Sequence, residues 1–389
     1  MSRMRIAVVG LGVVGASAAR SLALAGAEVT VFERTAPAAG TTGTSFAWIN
    51  SHQKNPLAYH ELNVAGMAEH AALQEPGGQW YFPGGNLEWA HGPGRERLAA
   101  AVAELRARDY PVEWISARRA RRLVPDLRVP DGVEEVAWYP SEGYVLPVAL
   151  LARLWGEARD HGARLRCPEE VTGLSRERGG ARVTLADGGS AYFDAVVLAA
   201  GRWSEAVAHL AGMPLPMADP EAPGSATVGF LGCTAPLPTR VGSVLTTPEL
   251  NVRPEGGGRL VVQGLDLDAA ADPAAVPAPD GPQAQELCAR LRNLLEGTEA
   301  ARLESLRVGQ RALPADGLTV AGFHTDGVVY ALATHSGITL GPLLGRLAAE
   351  EVVAGKESPL LAAFRPGRFA GVDKATLPPP VPARFAGQQ

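Results

Sequence analysis

The N-terminal segment alternates between apolar and mixed stretches in an order that predicts a strand, a helix and a second strand. Residues 6–9 are a short apolar run of the kind that forms a buried parallel strand. Residues 14–25 are rich in helix formers, and Gly26 ends that run. Val29 and Val31 then predict another strand. This order is typical of a βαβ unit.

The turn between the first strand and the helix carries three glycines spaced as G-x-G-x-x-G. Gly10, Gly12 and Gly15 have no side chain, so the backbone is able to turn sharply and approach a pyrophosphate at the helix N-terminus. Glu33 closes the second strand, where a carboxylate is able to accept hydrogen bonds from a ribose hydroxyl. An acid at this place argues against NADP. The unit therefore predicts a bound dinucleotide.

The hydrophobic pattern predicts further elements along the rest of the chain. Helices are expected over residues 57–73, 98–108, 117–124, 146–162, 283–295 and 341–353. Strands are expected over residues 163–167, 171–176, 181–185, 192–201 and 328–333. Residues 229–267 contain β-branched runs separated by Pro and Gly, which is typical of an antiparallel sheet. Residues 38–56 and 266–283 are expected to be loops.

Composition narrows the class of protein and of partner. The 389 residues are enough for two domains. The formal net charge is −5 and no basic block occurs, so we expect no nucleic-acid partner. We also expect no membrane partner, because no apolar stretch is long enough to span a bilayer. Cys167, Cys233 and Cys288 lie far apart without metal-type spacing, which favours a cytoplasmic protein without a metal site.

Three segments beyond the glycine motif have distinctive sequences. Residues 194–204 read DAVVLAAGRWS, residues 310–322 read QRALPADGLTVAG, and residues 333–350 read ATHSGITLGPLLGRLAAE. Together with the glycine motif they resemble, in the same order, the FAD-dependent oxidoreductases of the D-amino-acid oxidase, glycine oxidase and sarcosine oxidase superfamily. Ala312 and Thr319 depart from this pattern, since the family usually has proline at both places.

The resemblance implies a reaction and a cofactor. The reaction is oxidation of an amine or amino acid at its C–N bond, with hydride transfer to flavin N5, hydrolysis of the imine, and reoxidation by O2 to give H2O2. The cofactor is FAD, which we expect to be non-covalent because no cysteine matches the attachment place of the covalent members. Three alternatives stay open: a flavin dehydrogenase with another electron acceptor, a non-catalytic flavin-binding protein, and an NAD-linked dehydrogenase.

The resemblance also implies a fold of the α/β plus α+β class, with a Rossmann-type FAD-binding domain and an antiparallel-sheet substrate domain. We expect the FAD-binding domain to comprise residues 1–85, 141–215 and 312–370, with a β-meander supplied by residues 163–185. The substrate domain is expected over residues 86–140 and 216–311. Residues 371–389 are predicted to form an irregular tail.

Candidate site residues follow from the same resemblance. Arg311 matches the arginine that pairs with a substrate carboxylate, which a guanidinium binds through two hydrogen bonds. Lys54 lies in a loop implied to pass the flavin, where a positive charge would assist electron transfer to oxygen. His52 and Tyr144 are candidate substrate contacts. Cofactor contacts are expected from Gly10, Gly12, Val14, Gly15, Glu33, Arg34, Thr44, Ser45, Val171, Ala200, Gly201, Trp203, Gly337, Ile338, Thr339 and Leu340.

Overall fold

The computed structural model of the chain describes residues 3–74 and 78–383. In chain order its strands are β1 (Arg5–Val9), β2 (Glu28–Phe32), β3 (Trp48–Ile49), β4 (Tyr81–Phe82), β5 (Asn86–Glu88), β6 (Glu113–Ser116), β7 (Glu135–Tyr139), β8 (Gly143–Val145), β9 (Arg164–Arg166), β10 (Val171–Glu177), β11 (Gly180–Leu185), β12 (Ser190–Phe193), β13 (Ala195–Leu198), β14 (Val228–Thr234), β15 (Val244–Thr246), β16 (Asn251–Gly256), β17 (Arg259–Gln263), β18 (Leu303–Gln310), β19 (Val320–Phe323) and β20 (Val329–Ala333).

The α-helices of the described residues are α1 (Val13–Leu24), α2 (Leu57–Leu73), α3 (Pro93–Ala107), α4 (Ala117–Leu123), α5 (Pro147–Asp160), α6 (Ser204–His209), α7 (Pro282–Leu294) and α8 (Gly337–Ala354). Short 3₁₀ helices cover Thr41–Thr44, Gly201–Trp203, Leu265–Ala270, Pro359–Phe364, Pro366–Phe369 and Lys374–Thr376.

A six-stranded sheet in the order β19-β20-β13-β1-β2-β9 carries the βαβ unit. Its pairs are parallel except β19–β20. On β1, Ile6 and Val8 pack into the core shared with α1, α5 and α8, whereas Ala7 and Val9 pack into the core shared with the meander β10-β11-β12. Because both faces of β1 are covered, its apolar residues are consecutive rather than alternating.

A second, eight-stranded sheet has the order β18-β14-β17-β16-β15-β5-β7-β6. Its neighbours pair antiparallel except β15 and β5, which run parallel. Its core contains Phe230, Val252 and Val262 from the strands and Leu287 and Leu291 from α7. A small sheet, β3-β8-β4, completes the strand pairing. The fold is thus mixed α/β and α+β, with one parallel-sheet layer and one antiparallel-sheet layer, as the sequence predicts.

Two strand predictions near the meander need correction. Residues 163–167 were expected to belong to the meander, but β9 pairs with β2 at the edge of the parallel sheet, with Arg164 opposite Thr30. The third meander strand is β12. The strand expected over residues 192–201 is divided at Asp194 into β12 and β13, and the Asp194 carboxylate accepts a hydrogen bond from the Arg5 amide at 2.7 Å. Hydrogen bonding between segments far apart in the sequence decides which sheet these strands join and where they end.

Helix α8 begins four residues before the predicted Gly341, so residues 337–340 form its first turn rather than a loop. The backbone amide of Leu340 donates to the Ser336 carbonyl at 2.8 Å, which closes that turn. Pro342 lies inside the helix and has no N–H for the Ile338 carbonyl. The buried His70 ring, at 2.8 Å through Nε2, is the partner of this carbonyl. The side chain replaces the hydrogen bond that proline removes.

Candidate active site

The turn from β1 into α1 has corners that only glycine fits. Gly10 has a φ of +101°, and a Cβ there would come within 2.6 Å of the Ala199 carbonyl oxygen. A Cβ on Gly15 would collide with the carbonyl of Gly10. Gly12 occupies the N-cap of α1, where the space for a Cβ is limited by the Thr42 hydroxyl at 3.1 Å. The turn therefore brings bare backbone to the N-terminus of α1.

A cavity of about 160 Å³ opens in front of this turn, and we call it the nucleotide cavity. Its lining comes from the glycine turn, the end of β2, the start of β10, the turn after β13 and the start of α8. Predicted cofactor contacts in this lining are Gly10, Gly12, Val14, Glu33, Arg34, Ser45, Val171, Ala200, Gly201, Trp203, Gly337 and Ile338. Gly15 and Leu340 line neither this cavity nor the one beside it, because both are packed inside the described fold.

Glu33 is held by the backbone at the edge of the nucleotide cavity. One carboxylate oxygen accepts a hydrogen bond from the Leu11 amide at 2.9 Å. The other accepts from the Thr35 amide at 2.9 Å and from the Thr35 hydroxyl at 3.2 Å. These contacts fix the orientation of the carboxylate, and its remaining lone pairs are the acceptors available to a ribose. The ribose contact stays a prediction.

Two arginines stack on Trp203 in the wall of the nucleotide cavity. The Arg34 guanidinium lies 4.5 Å from the Trp203 ring centroid and the Arg202 guanidinium lies 3.8 Å from it. Both arginines line the cavity. Arg202 was not predicted as a site residue, although its place in the GRW turn was a usable signal. Burial lowers the pKa of Arg202, and the charge of Arg34 acts in the same direction. This wall suits an anionic ligand.

A second cavity, of about 210 Å³, adjoins the first. The two share Thr41, Ser45, His335 and Ile338. The second cavity lies among the loop before β3, strands β14 and β16, the end of β18 and the start of α8. Predicted residues in its lining are Thr44, Ser45, Asn50, Lys54, Arg311, Ile338 and Thr339, and the unpredicted ones include Asn251, Gln263 and the tail residues Pro380, Val381 and Ala383.

Lys54 reaches the second cavity with only 4% of its surface exposed. Burial lowers the pKa of its ammonium to about 7, while the Glu142 carboxylate acts in the opposite direction. Its backbone carbonyl accepts a hydrogen bond at 3.4 Å from Arg108, which directly follows α3. A buried lysine with this pKa is charged in only part of the molecules at neutral pH. An anion in the cavity would favour its charged form.

Arg311 reaches the same cavity from the end of β18. Nη1 donates to the Ala226 carbonyl at 2.6 Å and to the Val228 carbonyl at 3.2 Å, and Nη2 lies 3.3 Å from Oδ2 of Asp268. Burial raises the pKa of Asp268 to about 6, against the charge of Arg311. Protein oxygens therefore hold the guanidinium in place, and Arg311 also lines the cavity.

His52 and Tyr144 lie in neither cavity lining, and their expected substrate contact stays a prediction. His52 is fully buried, stacks on Tyr139 with ring centroids 4.7 Å apart, and lies 3.2 Å from Glu88. Burial, followed by the charges of Lys54 and Arg97, lowers the pKa of His52 to about 3. Tyr144 of β8 stacks on Phe82 at 4.9 Å. The Tyr144 ring packs on Phe82 across the β4–β8 pair, whereas His52 is packed from the turn after β3.

Two buried carboxylates lie beside His52. Glu142 accepts hydrogen bonds from the Tyr110 hydroxyl at 2.7 Å and from the Trp48 indole at 3.0 Å, and burial raises its pKa to about 8. Glu88 accepts from the Tyr139 hydroxyl at 2.9 Å, and burial raises its pKa to about 7. This cluster was not predicted, because its members come from separate segments without a motif.

Arg253 of β16 holds the loop at Ser45 and Phe46, and Ser45 lines both cavities. Arg253 is 1% exposed, and its guanidinium donates to the carbonyl of Phe46 and, at 3.3 Å, to that of Ser45. Glu255 forms an ion pair with it. The antiparallel sheet thus holds the backbone of the loop on which Ser45 and Trp48 stand. In the described residues no group of His, Cys, Asp and Glu side chains has the arrangement of a metal site, and no helix is long and apolar enough to cross a membrane.

Comparison with known proteins gives one family. The sequence profile of the DAO family, described as FAD dependent oxidoreductase, matches residues 5–351. The glycine oxidase of Geobacillus kaustophilus (strain HTA426) is 26% identical over 390 residues, which cover 95% of this chain and 98% of that protein. The bifunctional protein ThiO/ThiG of Synechocystis sp. is 27% identical over 272 residues, 69% of this chain. This chain covers 39% of that protein, and 55% of the ThiO/ThiG protein of Trichormus variabilis.

Solved structures with the same fold include an amino-acid oxidase and an amino-acid dehydrogenase. The crystal structure of glycine oxidase from Geobacillus kaustophilus has a TM-score of 0.79 at 23% identity, covering 93% of this chain and 98% of that one. The crystal structure of L-proline dehydrogenase from P. horikoshii has a TM-score of 0.80 at 19% identity, covering 95% and 98%. At these identities the likeness is one of fold.

Proposed function

Because the chain belongs to the DAO family of FAD-dependent oxidoreductases, we propose that it oxidises an amino acid or a related amine at its C–N bond. The observation that carries this proposal is the meeting of the two cavities at His335 and Ile338, with Arg311 and Lys54 in the second. One cavity is suited to a dinucleotide, and the other offers cations to a carboxylate.

The residues of the nucleotide cavity fit FAD. The glycine turn leaves no side chain between the backbone and a ligand, since Gly10 and Gly15 have no room for a Cβ. Arg34 and Arg202 supply positive charge beside the N-terminus of α1, where a diphosphate is favoured. Bound FAD would supply the acceptor for the two electrons of the oxidised C–N bond. None of Cys167, Cys233 and Cys288 is in either lining, which supports our proposal of non-covalent binding.

In the second cavity, the protein's own part is to bind and orient the substrate. Arg311 would hold a carboxylate, with its guanidinium kept in place by the Ala226 carbonyl and by Asp268. Fixing the carboxylate limits the motion of the neighbouring amine carbon, which is how a binding group lowers the entropic part of a barrier. The proposal does not require an acid or base.

We further propose that O2 accepts the electrons, giving H2O2, with Lys54 as the positive charge that assists. Lys54 is the lysine of the second cavity lining. A flavin dehydrogenase would show reduction by the substrate without peroxide formation, and a non-catalytic flavin protein would show neither. We propose a cytoplasmic location as well, which cell fractionation tests.

The test is anaerobic addition of amines and amino acids to the purified holoprotein, with the visible absorption of the flavin as readout. We expect amino acids to bleach the flavin. In Arg311→Ala, kcat/KM for an amino acid should fall by about tenfold or more, as expected for loss of a charge-assisted hydrogen bond. The matching decarboxylated amine should be little affected. Equal losses for both compounds would contradict the role of Arg311, and no bleaching by any amine would contradict the proposed function.

A further inference from the structure

The lining of the second cavity has an unusual balance of charge. Two cations, Lys54 and Arg311, stand in it, and among the described residues that form the lining there is no Asp or Glu. The rest of its polar groups are neutral side chains such as Asn50, Asn251 and Gln263. A buried cation is costly unless a counter-charge stands near it. A ligand that enters this cavity is therefore selected for negative charge.

The two cations act on the same place from two elements. Lys54 comes from the loop after β3, and Arg311 from the end of β18. His335 lies between β20 and α8, and burial lowers its pKa to about 3, with the charges of Lys54 and Arg311 as the next causes. Both cations are thus close enough to His335 for their fields to add. Lys54 and Arg311 are thus two positively charged groups in one cavity.

The counter-charges behind the two cations are unequal. Arg311 has Asp268 as its ion-pair partner at 3.3 Å. For the Lys54 ammonium, the described part of the chain supplies no hydrogen bond or ion pair. The acid that raises the pKa of Lys54 is Glu142, and burial raises the pKa of this carboxyl to about 8, so that it is mostly protonated at neutral pH. Lys54 is therefore the cation whose missing counter-charge a ligand would supply.

The side-chain amide oxygens of two asparagines in this cavity accept no hydrogen bond from the described residues. Asn50 is 6% exposed and Asn251 is 4% exposed, and both line the cavity. The Oδ1 atoms of both residues are buried without a hydrogen-bond partner among the described residues. Buried acceptors are normally satisfied, so these two oxygens indicate a ligand with N–H groups. An amine has such groups.

We propose that the substrate of this cavity is an amino acid with two carboxylates, one bound by Arg311 and the other by Lys54. The amide oxygens of Asn50 and Asn251 are the acceptors for its amine. This inference rests on the proposed function and names its substrate class. A monocarboxylic amino acid would leave Lys54 without an anion in a buried place, and this difference is the source of selectivity.

Binding of the second carboxylate has a consequence for protons. An anion beside Lys54 favours the ammonium over the neutral amine, so the complex takes up a proton where free Lys54 is partly neutral. The other titratable groups that face Lys54 are Glu142, His52 and His335, with Arg108 near its backbone. The two histidines have pKa values near 3 and stay neutral above pH 7. Glu142, whose pKa is raised to about 8, also titrates near pH 8, so the uptake is assigned to Lys54 by its loss in Lys54→Met and its retention in Glu142→Gln.

The experiment compares two ligands that cannot be oxidised at a C–N bond, because a thioether replaces the amine. Thiodiglycolate has two carboxylates, and (methylthio)acetate, in which a methyl group replaces one carboxymethyl arm, has one. Calorimetry on the holoprotein should show that thiodiglycolate binds about tenfold tighter or more, and that it takes up a proton at pH 8 in buffers of different ionisation enthalpy. Lys54→Met should bring the two affinities within about threefold of each other and abolish the uptake.

The controls separate charge from packing. Lys54→Arg keeps the charge and should retain the preference for two carboxylates, and Lys356→Met, which removes an exposed lysine, should change nothing. Arg311→Lys should weaken both ligands. Equal affinities in the unchanged protein, absence of binding, or a preference that survives in Lys54→Met would overturn the inference. If thiodiglycolate binds through Lys54 and yet no amine bleaches the flavin, the proposed function fails and the two-carboxylate site stands.

Discussion

Arg311 and Asp268 form an ion pair with Nη2 and Oδ2 3.3 Å apart, and Arg311 of this pair lines the second cavity. The Phe230 amide donates to the other oxygen of Asp268 at 2.8 Å, so the carboxylate is fixed to β14. Gly229 beside it has no space for a side chain, because a Cβ would collide with Oδ2 of Asp268. A strand, a 3₁₀ helix and the end of β18 thus combine to aim one guanidinium.

Asp268→Asn removes the charge and keeps the shape, and we expect it to affect substrate binding more than chemistry. Without its partner Arg311 is less firmly oriented, so KM for a carboxylated substrate should rise by about tenfold with kcat little changed. In the unchanged protein KM should also rise as the pH falls through 6, since the pKa of Asp268 is about 6, and this rise should be absent in the variant. Steady-state kinetics from pH 5 to 8 measure both effects, and parallel pH profiles would contradict the role.

Gly12→Val should prevent retention of FAD. Gly12 lines the nucleotide cavity at the N-cap of α1, and a larger side chain there would fill the approach of a pyrophosphate to the helix. The measurement is the ratio of flavin to protein after gel filtration. Gly156→Ala on α5 is the matched control, because nothing lies within 4 Å of a Cβ at that place. A normal flavin content in Gly12→Val would contradict the proposed role of the glycine turn in FAD binding.

Lys54→Met should slow reoxidation by O2 more than reduction by the substrate, if the lysine assists oxygen. The reason is electrostatic, since electron transfer to O2 builds negative charge that an adjacent ammonium stabilises. Stopped-flow spectroscopy measures the two half-reactions separately. Using a monocarboxylic substrate avoids the loss of the second carboxylate contact. The same rates of reoxidation in both proteins would leave Lys54 with a binding role alone.

Glu142→Gln should make stability less dependent on pH between 5 and 7. Burial raises the pKa of Glu142 from 4.5 to about 8, so the folded state holds this proton where the unfolded chain releases it. Stability from this group is present below pH 4.5 and is lost as the pH rises toward 8, by up to about 1.4 kcal/mol per pH unit. Lys54, whose pKa burial lowers to about 7, begins to titrate at the upper end of this window, and its contribution to stability rises with pH instead.

Urea unfolding at pH 5 and pH 7, with FAD saturating, measures this effect. The unchanged protein should lose more free energy of unfolding between the two pH values than Glu142→Gln does. Glu88 contributes a fall of the same sign, because its pKa is raised to about 7, so part of the dependence should remain in the variant. Glu134→Gln, at an exposed carboxylate, is the control. Equal falls in both proteins would show that Glu142 is ionised in the fold.

Local sequence patterns were enough to predict the βαβ unit, the cofactor and the family. The spacing of Gly10, Gly12 and Gly15 and the apolar run of β1 depend on neighbours within a few residues, and such patterns are visible in the chain itself. Helices α2 and α5 begin and end within a few residues of their predicted bounds for the same reason. Arg311 and Lys54 were found through their places in motifs and loops.

Only the tertiary structure decided which of these residues line a cavity. His52 and Lys54 are two positions apart, yet one is sealed against Glu88 and Tyr139 and the other lines the second cavity. Asn251 and Asp268 belong to no motif and enter the site through the pairing of β16 and the packing of a 3₁₀ helix on β14. The physical reason is that burial and charge at a site are sums over segments far apart in the chain, and a sequence pattern records only the neighbours along it.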